Sequence, residues 1–319
     1  MDGSSSPSDE AARVGDVTPM MAQFLAAKSQ AGDALVFFRM GDFYELFFDD
    51  AERASAALDI ALTRRGRHKG EDIPMCGVPA ASHESYLAKL IRKGFRVAIC
   101  EQVEAPNAAK KRGAKAVMRR EIVRFVTPGT LTEDSLLEAR RNNFLCALSV
   151  ARGEAALAWV DVSTGEIFFR ATDAASFRSD AAAAGLAELV HSDAPMTDDW
   201  RFAVEETGAA LTPQPAALFD ARAGERRLFE TYGTSSLDGF GAFARVEVSA
   251  LGALVAYVAL TQAGRMPVLR PPRRLERATA MAIDGATRAS LELFDRARGG
   301  REGSLFAAID RTVTGAGAR

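Results

Sequence analysis

Phe43 and Glu45 flank Tyr44 in the segment GDFYELFFDD (Gly41 to Asp50), and they set an aromatic face beside a carboxylate directly after an apolar run, Ala34 to Met40. A phenylalanine ring can stack on a nucleobase or wedge between base steps. A carboxylate is repelled by phosphate and is useful beside a nucleic acid only where it meets the edge of a base. A lone F-x-E triplet is more often a core aromatic followed by a solvated glutamate, so the pair needs support from its surroundings. Basic side chains offer candidates for phosphate contact: Arg64, Arg65 and Arg67 in TRRGRHKGED, and Lys110, Lys111 and Arg112 in NAAKKRGAKAVMRR. The alternative for each is a solvated loop. Met40, just ahead of the triplet, either packs against a nucleic acid or belongs to the core.

Charge is distributed unevenly around these residues. The formal net charge is −2, yet Lys89 to Arg124 holds eleven Lys/Arg against three Asp/Glu, while Ala151 to Phe240 holds seven against fifteen. The chain turns Arg-rich again in RMPVLRPPRRLER. That alternation suits a protein whose first and last parts face a polyanion and whose middle does not. With 48% hydrophobic and 26% charged residues the composition is that of a soluble globular protein, and its 319 residues suffice for roughly two domains. No apolar run approaches the ~20 residues that span a bilayer. Residues 1–17 are polar and Ser-rich, which reads as a flexible arm and not a signal peptide. Cys76, Cys100 and Cys146 are odd in number and widely spaced, which reads as reduced thiols in a cytoplasmic protein. They and the scattered His68, His83 and His191 point away from a zinc site.

The elements that must position the pair follow from periodicity and punctuation. Thr18-Pro19 predicts a helix cap and first turn, with a helix through about Ser29. Ala34 to Met40 predicts a strand. Gly41-Asp42 is then expected to turn into a helix carrying Leu46, Phe47, Ala51, Ala54 and Leu58, which would leave Phe43 and Glu45 at a strand-to-helix junction. Asp59 to Thr63 predicts a short strand, TRRGRHKGED a basic turn, IPMCGVP an extended piece, Ser82 to Lys93 a helix stopped by Gly94, and Phe95 to Val103 and Glu121 to Val126 two strands. Alternating strands and helices predict a mixed α/β domain. A linker over 129–141 precedes a second α/β piece. There FLCALSV, AALAWVDV and GEIFFRAT predict an antiparallel meander, followed by helical patterns at Ala174 to Leu189, Ala216 to Tyr232 and Val246 to Ala263. The prolines of RMPVLRPPRR mark its exit, and a third piece begins near Arg277.

Several long strings now carry a resemblance. FFRMGDFYELFFDDA, ALTRR, IPMCGVPAAS, YLAKLIRKGFRVAICEQ, VRFVTPGT, DVSTGEI, LELF and AAIDRTVTGAGAR together resemble the N-terminal part of the bacterial MutS family, which recognises DNA mismatches. The resemblance implies a mismatch-binding domain over 18–128, a connector domain with an RNase H-like fold over 142–268, and the start of a helical core and lever domain over 269–319. It implies that Phe43 stacks on one base of a mispair and that Glu45 hydrogen-bonds that base. The partners it implies are mismatched duplex DNA and, through the connector, a MutL-type protein. A membrane is not among them.

Family members also carry an ATPase with bound ATP and Mg, and they act as dimers. The ATPase needs a loop of G-x-x-x-x-G-K-[ST] form. This sequence contains no Gly-Lys dipeptide, so no ATPase and no cofactor are expected of it, and a monomeric fragment is. Two other classes are weighed against the mismatch sensor. A nuclease would need several carboxylates converging on metal ions, with Asp161 and Glu166 on neighbouring strands as its best start. A protein-interaction module acting through the connector alone would be indifferent to Phe43.

Overall fold

The computed structural model describes residues 18–68, 70–104, 117–133, 135–138, 142–276, 283 and 285–313. The chain divides after Thr127 into two compact units, each with its own sheet and core. Both are mixed α/β, as the alternation of elements predicts.

In the first unit, helix α1 (Pro19–Ala31) starts as the Thr-Pro dipeptide dictates. Thr18 is extended, its hydroxyl accepts a hydrogen bond from the Met21 amide at 3.3 Å, and Pro19 occupies the first turn, where no amide is needed. Six strands, β1 (Leu35–Met40), β2 (Phe43–Phe47), β3 (Thr63–His68), β4 (Glu71–Pro79), β5 (Val97–Gln102) and β6 (Arg120–Val126), lie in the spatial order β3-β4-β2-β1-β5-β6. Among the described residues of this unit, only β1 and β5 pair in parallel. The chain between those two passes through α2 (Asp49–Leu58) and α3 (His83–Arg92). Strand alternation sends Val36, Phe38, Phe47, Ala98 and Cys100 to one face, against Met21 and Phe24 of α1. Leu46 and Cys76 face the other way, where the Cys76 thiol donates to the Ala51 carbonyl of α2 at 3.4 Å. The buried Asp50 carboxylate joins these layers, accepting from Lys28 Nζ at 2.8 Å and from the Val36 amide at 3.0 Å.

Three expectations fail here. Residues 43–47 form a strand and not the first turn of a helix, because Gly41 adopts a positive φ of 59° and the chain reverses in a two-residue turn. The helix waits until Asp49, after Phe48 at φ 54°. TRRGRHKGED is likewise no simple turn. Thr63–His68 is the edge strand of a hairpin with β4, and its arginines keep that edge soluble. The strand expected over Asp59 to Thr63 accordingly begins only at Thr63.

In the second unit, β7 (Phe144–Ala151), β8 (Glu154–Asp161) and β9 (Glu166–Thr172) form the expected meander. With β10 (Leu186–Ser192), β11 (Ala210–Gln214) and β12 (Arg273–Arg274) they give the order β11-β10-β7-β8-β9-β12. Phe144, Cys146 and Leu148 pack under α4 (Ala174–Ala184) and α5 (Asp198–Glu205). Leu145 and Ala147 pack under α6 (Ala221–Tyr232) and α7 (Arg245–Thr261). A sheet covered on both faces is what an unbroken apolar run such as FLCALSV needs. The helical pattern expected through Leu189 ends at Ala184, where Gly185 caps it in the left-handed region and the chain enters β10. RMPVLRPPRR is also more than an exit, because Arg273 and Arg274 extend the sheet beside β9. Short helices α8 (Gly285–Ser290) and α9 (Leu305–Ile309) follow.

Two close approaches organise this unit. Gly129 lies so near the sheet that a Cβ there would meet Glu188 Cβ at 2.8 Å and Leu145 Cα at 3.0 Å. Its amide donates to Glu188 Oε2 at 2.9 Å. Gly224 of α6 and Gly252 of α7 let the two helix backbones touch, since a Cβ on Gly252 would fall 2.2 Å from Gly224 Cα. Gly252→Ala should therefore destabilise the protein by about 1–3 kcal/mol despite alanine's better helix propensity. Thermal denaturation followed by circular dichroism checks this, and an unchanged midpoint would show that the helices can part freely.

All three cysteines are free and buried, Cys76 and Cys100 in the first unit and Cys146 in the second. Among the described residues no helix is long and apolar enough to cross a membrane.

Candidate nucleic-acid interface

The β1–β2 hairpin sets Met40 opposite Phe43 and Phe38 opposite Glu45. Alternation along β2 then decides what each side chain of the triplet meets. Tyr44 goes inward, while Phe43 and Glu45 share the other face. Phe43 sits at the start of its strand and is 48% exposed, although neighbouring phenylalanines such as Phe38 and Phe47 are fully buried. The tip is tied down behind it, the Ala80 amide donating to the Asp42 carbonyl at 2.8 Å. An exposed aromatic on a pinned hairpin loses little conformational entropy when it meets a flat apolar partner.

Tyr44 fixes the hairpin from the opposite face. Its hydroxyl donates to a Glu101 carboxylate oxygen of β5, the Arg39 guanidinium lies 5.3 Å from its ring, and the His83 ring lies 5.1 Å away. Burial, the Glu101 hydrogen bond and the Glu101 charge push its phenol up from 10.0 to about 12. The folded protein therefore holds this proton more tightly than the unfolded chain does. The associated stability is complete below pH 10 and is lost as pH rises through 12. Tyr44→Phe should cost about 1 kcal/mol at neutral pH and should flatten that part of the alkaline decline. Urea denaturation at pH 8 and pH 11 reads both effects, and an unaltered alkaline slope would assign the decline to other groups.

Glu45 is not free in this arrangement. Arg65 Nη1 donates to both of its oxygens, at 2.8 and 3.1 Å. Arg65 lies at a register shift in β3, between Arg64 and Arg67, where a bulge re-aims the side chain. Arg64 and Arg67 pair with Asp72 at 3.7 and 3.0 Å. Of the sequence-derived candidates, Phe43, Glu45, Met40 and Arg65 are thus linked through one hairpin. Arg64 and Arg67 stand apart on the edge strand. Lys110, Lys111 and Arg112 lie outside the described residues.

Met40 is half-buried against the α1 face of the core. Its sulfur accepts from Arg120 Nη2 at 3.3 Å, and both contacts are those of a core side chain. Arg120 is the residue that sequence reasoning missed. Its Nε donates to the Arg39 carbonyl at 2.7 Å and its guanidinium lies 5.0 Å from the Phe38 ring. Burial lowers its affinity for the proton, opposed by nearby Cys100 and Glu45. The pairing of Gln102 with Arg120 at the sheet end brings it there. No local spacing encodes that pairing, and in sequence Arg120 is only the last residue of a basic stretch.

The carboxylates considered for a nuclease do not assemble. Asp161 and Glu166 are cross-strand partners, but Asp161 is buried and accepts from the Ser163 amide and hydroxyl and from the Asn143 amide. Glu166 faces Arg270 at 3.4 Å. Among the described residues no three His, Cys, Asp or Glu side chains converge as metal ligands would. Asp161 is thus a turn-former for the β8–β9 loop.

Comparison with known proteins places these features in a family context. Residues 18–135 match the family model described as MutS domain I, and residues 143–270 match MutS domain II. The chain is 57% identical over 304 residues to the DNA mismatch repair protein MutS of Cereibacter sphaeroides (strain ATCC 17025 / ATH 2.4.3). It is 55% identical over 303 residues to that of Ruegeria pomeroyi and 56% identical over 302 residues to that of Paracoccus denitrificans. Each of these matches covers 95% of this chain and 34% of the relative. The chain thus spans about a third of the length of the curated relatives it matches.

Proposed function

The chain belongs to the MutS family, with domains I and II in succession, and on that premise we propose that it recognises mispaired or unpaired bases in duplex DNA, within DNA mismatch repair. Phe43 stacks on a mispaired base and Glu45 hydrogen-bonds the same base. The observation that carries this reading is a half-exposed ring at a pinned hairpin tip with a carboxylate on the same strand face. A mispair stacks poorly, so wedging a ring and kinking the duplex cost less there than in paired DNA. Stacking accepts any base face and suits a sensor that meets many mispairs. Specificity then arises from how easily the duplex deforms and from an acceptor that, of the DNA's groups, a displaced base edge can use. Arg64 and Arg67 on the exposed edge of β3 supply phosphate contacts that do not depend on sequence, with Lys110, Lys111 and Arg112 as further candidates.

Fluorescence anisotropy of the 319-residue chain against matched and G·T-mismatched duplexes at low salt tests the proposal. Tighter binding to the mismatched duplex is expected. Equal binding to both would sink the sensor reading for this chain and favour a role as a protein-interaction module through the second domain, with a MutL-type protein as the partner to try.

A further inference from the structure

The carboxylate that the proposed function assigns to a base edge is already engaged by Arg65 in the protein alone. One nitrogen, Arg65 Nη1, spans both Glu45 oxygens. The two partners differ in how they are held. The Glu45 side chain is 13% exposed on a central strand, whereas Arg65 is 52% exposed on the edge strand, at its bulge. The arginine is therefore the partner with room to move. Its neighbours have a different partner, since Arg64 and Arg67 both lie against Asp72. A part-exposed pair of this kind is worth only about 1.4- to 5-fold in an equilibrium constant, weak enough to be exchanged.

We propose that Arg65 is an internal latch on Glu45, which closes over the carboxylate in the free protein and on matched DNA and transfers to a backbone phosphate when Glu45 turns to a base edge. The proposal rests on the reading of Glu45 as the base-facing acceptor. On matched duplex no base edge reaches Glu45, so the latch stays closed. The carboxylate is neutralised and does not repel the backbone, and Arg65 adds no phosphate contact. At a mispair Glu45 gains a hydrogen bond and Arg65 gains a phosphate. One recognition event is thereby registered twice, and Arg65 becomes a specificity-determining residue that never touches a base.

The salt dependence of binding reads the latch directly, because each phosphate contact contributes about 0.9 to the magnitude of the slope of log K against log salt. The measurement compares the full chain with Arg65→Gln, Glu45→Gln and the double variant, on matched and G·T duplexes. On matched duplex, Arg65→Gln uncovers the Glu45 carboxylate and should not steepen the slope, Glu45→Gln should steepen it by about 0.9 as Arg65 is freed, and the double variant, neutral at both positions, should match the parental slope. On the mismatched duplex, the parent should be steeper than on matched duplex by about 0.9, and Arg65→Gln should erase that difference. A double variant flatter than the parent by about 0.9 on matched DNA would place Arg65 on phosphate in the parent and overturn the latch. Equal parental slopes on the two duplexes, alongside a mismatch preference, would overturn the transfer. The matched-duplex arm does not depend on mismatch sensing. Slopes as expected there without any mismatch preference would remove the base-sensing role and leave the closed latch standing. A mismatch preference with a double-variant slope flattened on matched DNA would do the reverse.

Discussion

Phe43→Ala is expected to lower affinity for a G·T-mismatched duplex by about 5- to 150-fold and to change affinity for matched duplex little. The range corresponds to the ~1–3 kcal/mol that one base stacked on an aromatic ring contributes. The ring is half-exposed at the start of β2, so its removal leaves the core intact. Surface changes of this kind alter stability by only about 0.5 kcal/mol, and a thermal melt of the variant should overlay the parent. Phe43→Trp should keep most of the preference, because a larger face still stacks. Anisotropy titrations at fixed low salt decide the matter. A Phe43→Ala variant that still prefers the mispair would transfer the wedge to another residue. One that loses both duplexes equally would make Phe43 a general contact.

Glu188→Ala should be the most damaging single change in the second unit. The carboxylate is fully buried and accepts from Thr212 Oγ1 and the Tyr257 hydroxyl, both at 2.7 Å, and from the Gly129 amide at 2.9 Å. It thereby joins β10, β11, α7 and the chain entering the unit through one side chain. Removal leaves three buried donors without this acceptor, at about 1 kcal/mol or more each, and opens a cavity, for a total of about 3–5 kcal/mol. For a domain of this size each kcal/mol moves the melting midpoint by about 2–4 °C, so a fall of roughly 6–20 °C is expected by calorimetry. Glu188→Gln should cost less, since its amide oxygen can still accept from Thr212 and Tyr257 and only the Gly129 amide, now facing another donor, loses its acceptor. A loss under about 1 kcal/mol for the alanine variant would mean that water or a neighbour takes over the carboxylate's role.

Elements with their own punctuation were legible from the amino-acid order. Thr18-Pro19 marks α1, and Gly94 stops the turn after α3. The unbroken apolar runs with short loops give the β7–β8–β9 meander. The errors came where local preference was ambiguous and tertiary pairing decided. Residues 43–58 place Leu46, Phe47, Ala51, Ala54 and Leu58 at helical spacing, yet the first two belong to a strand because a Gly41-Asp42 turn lets β2 pair with both β1 and β4. Alanine-rich AAAAGLAEL reads as helix through Leu189, but Gly185 stops it and β10 pairs in parallel with β7. ALTPQ hides β11 because its proline is tolerated only at a sheet edge. For the site, residue types nominated Phe43, Glu45 and the arginines, and family resemblance gave the first two their roles. What no reading of the chain could supply is which arginine meets Glu45, since Arg65 reaches it through a bulge, twenty residues away in the chain.

The three buried thiols give the molecule a built-in means of reporting its own opening. Burial pushes Cys76 up to about 11, Cys100 up to about 12 and Cys146 well above its ordinary value. Since the thiolate is the reactive form, all three are silent toward alkylating reagents until their surroundings open. Two lie in one unit and one in the other, so the rate at which each is modified in native buffer measures the opening of its own domain. Repeated with DNA present, the same labelling would tell which domain a duplex stiffens, with no engineered probe attached.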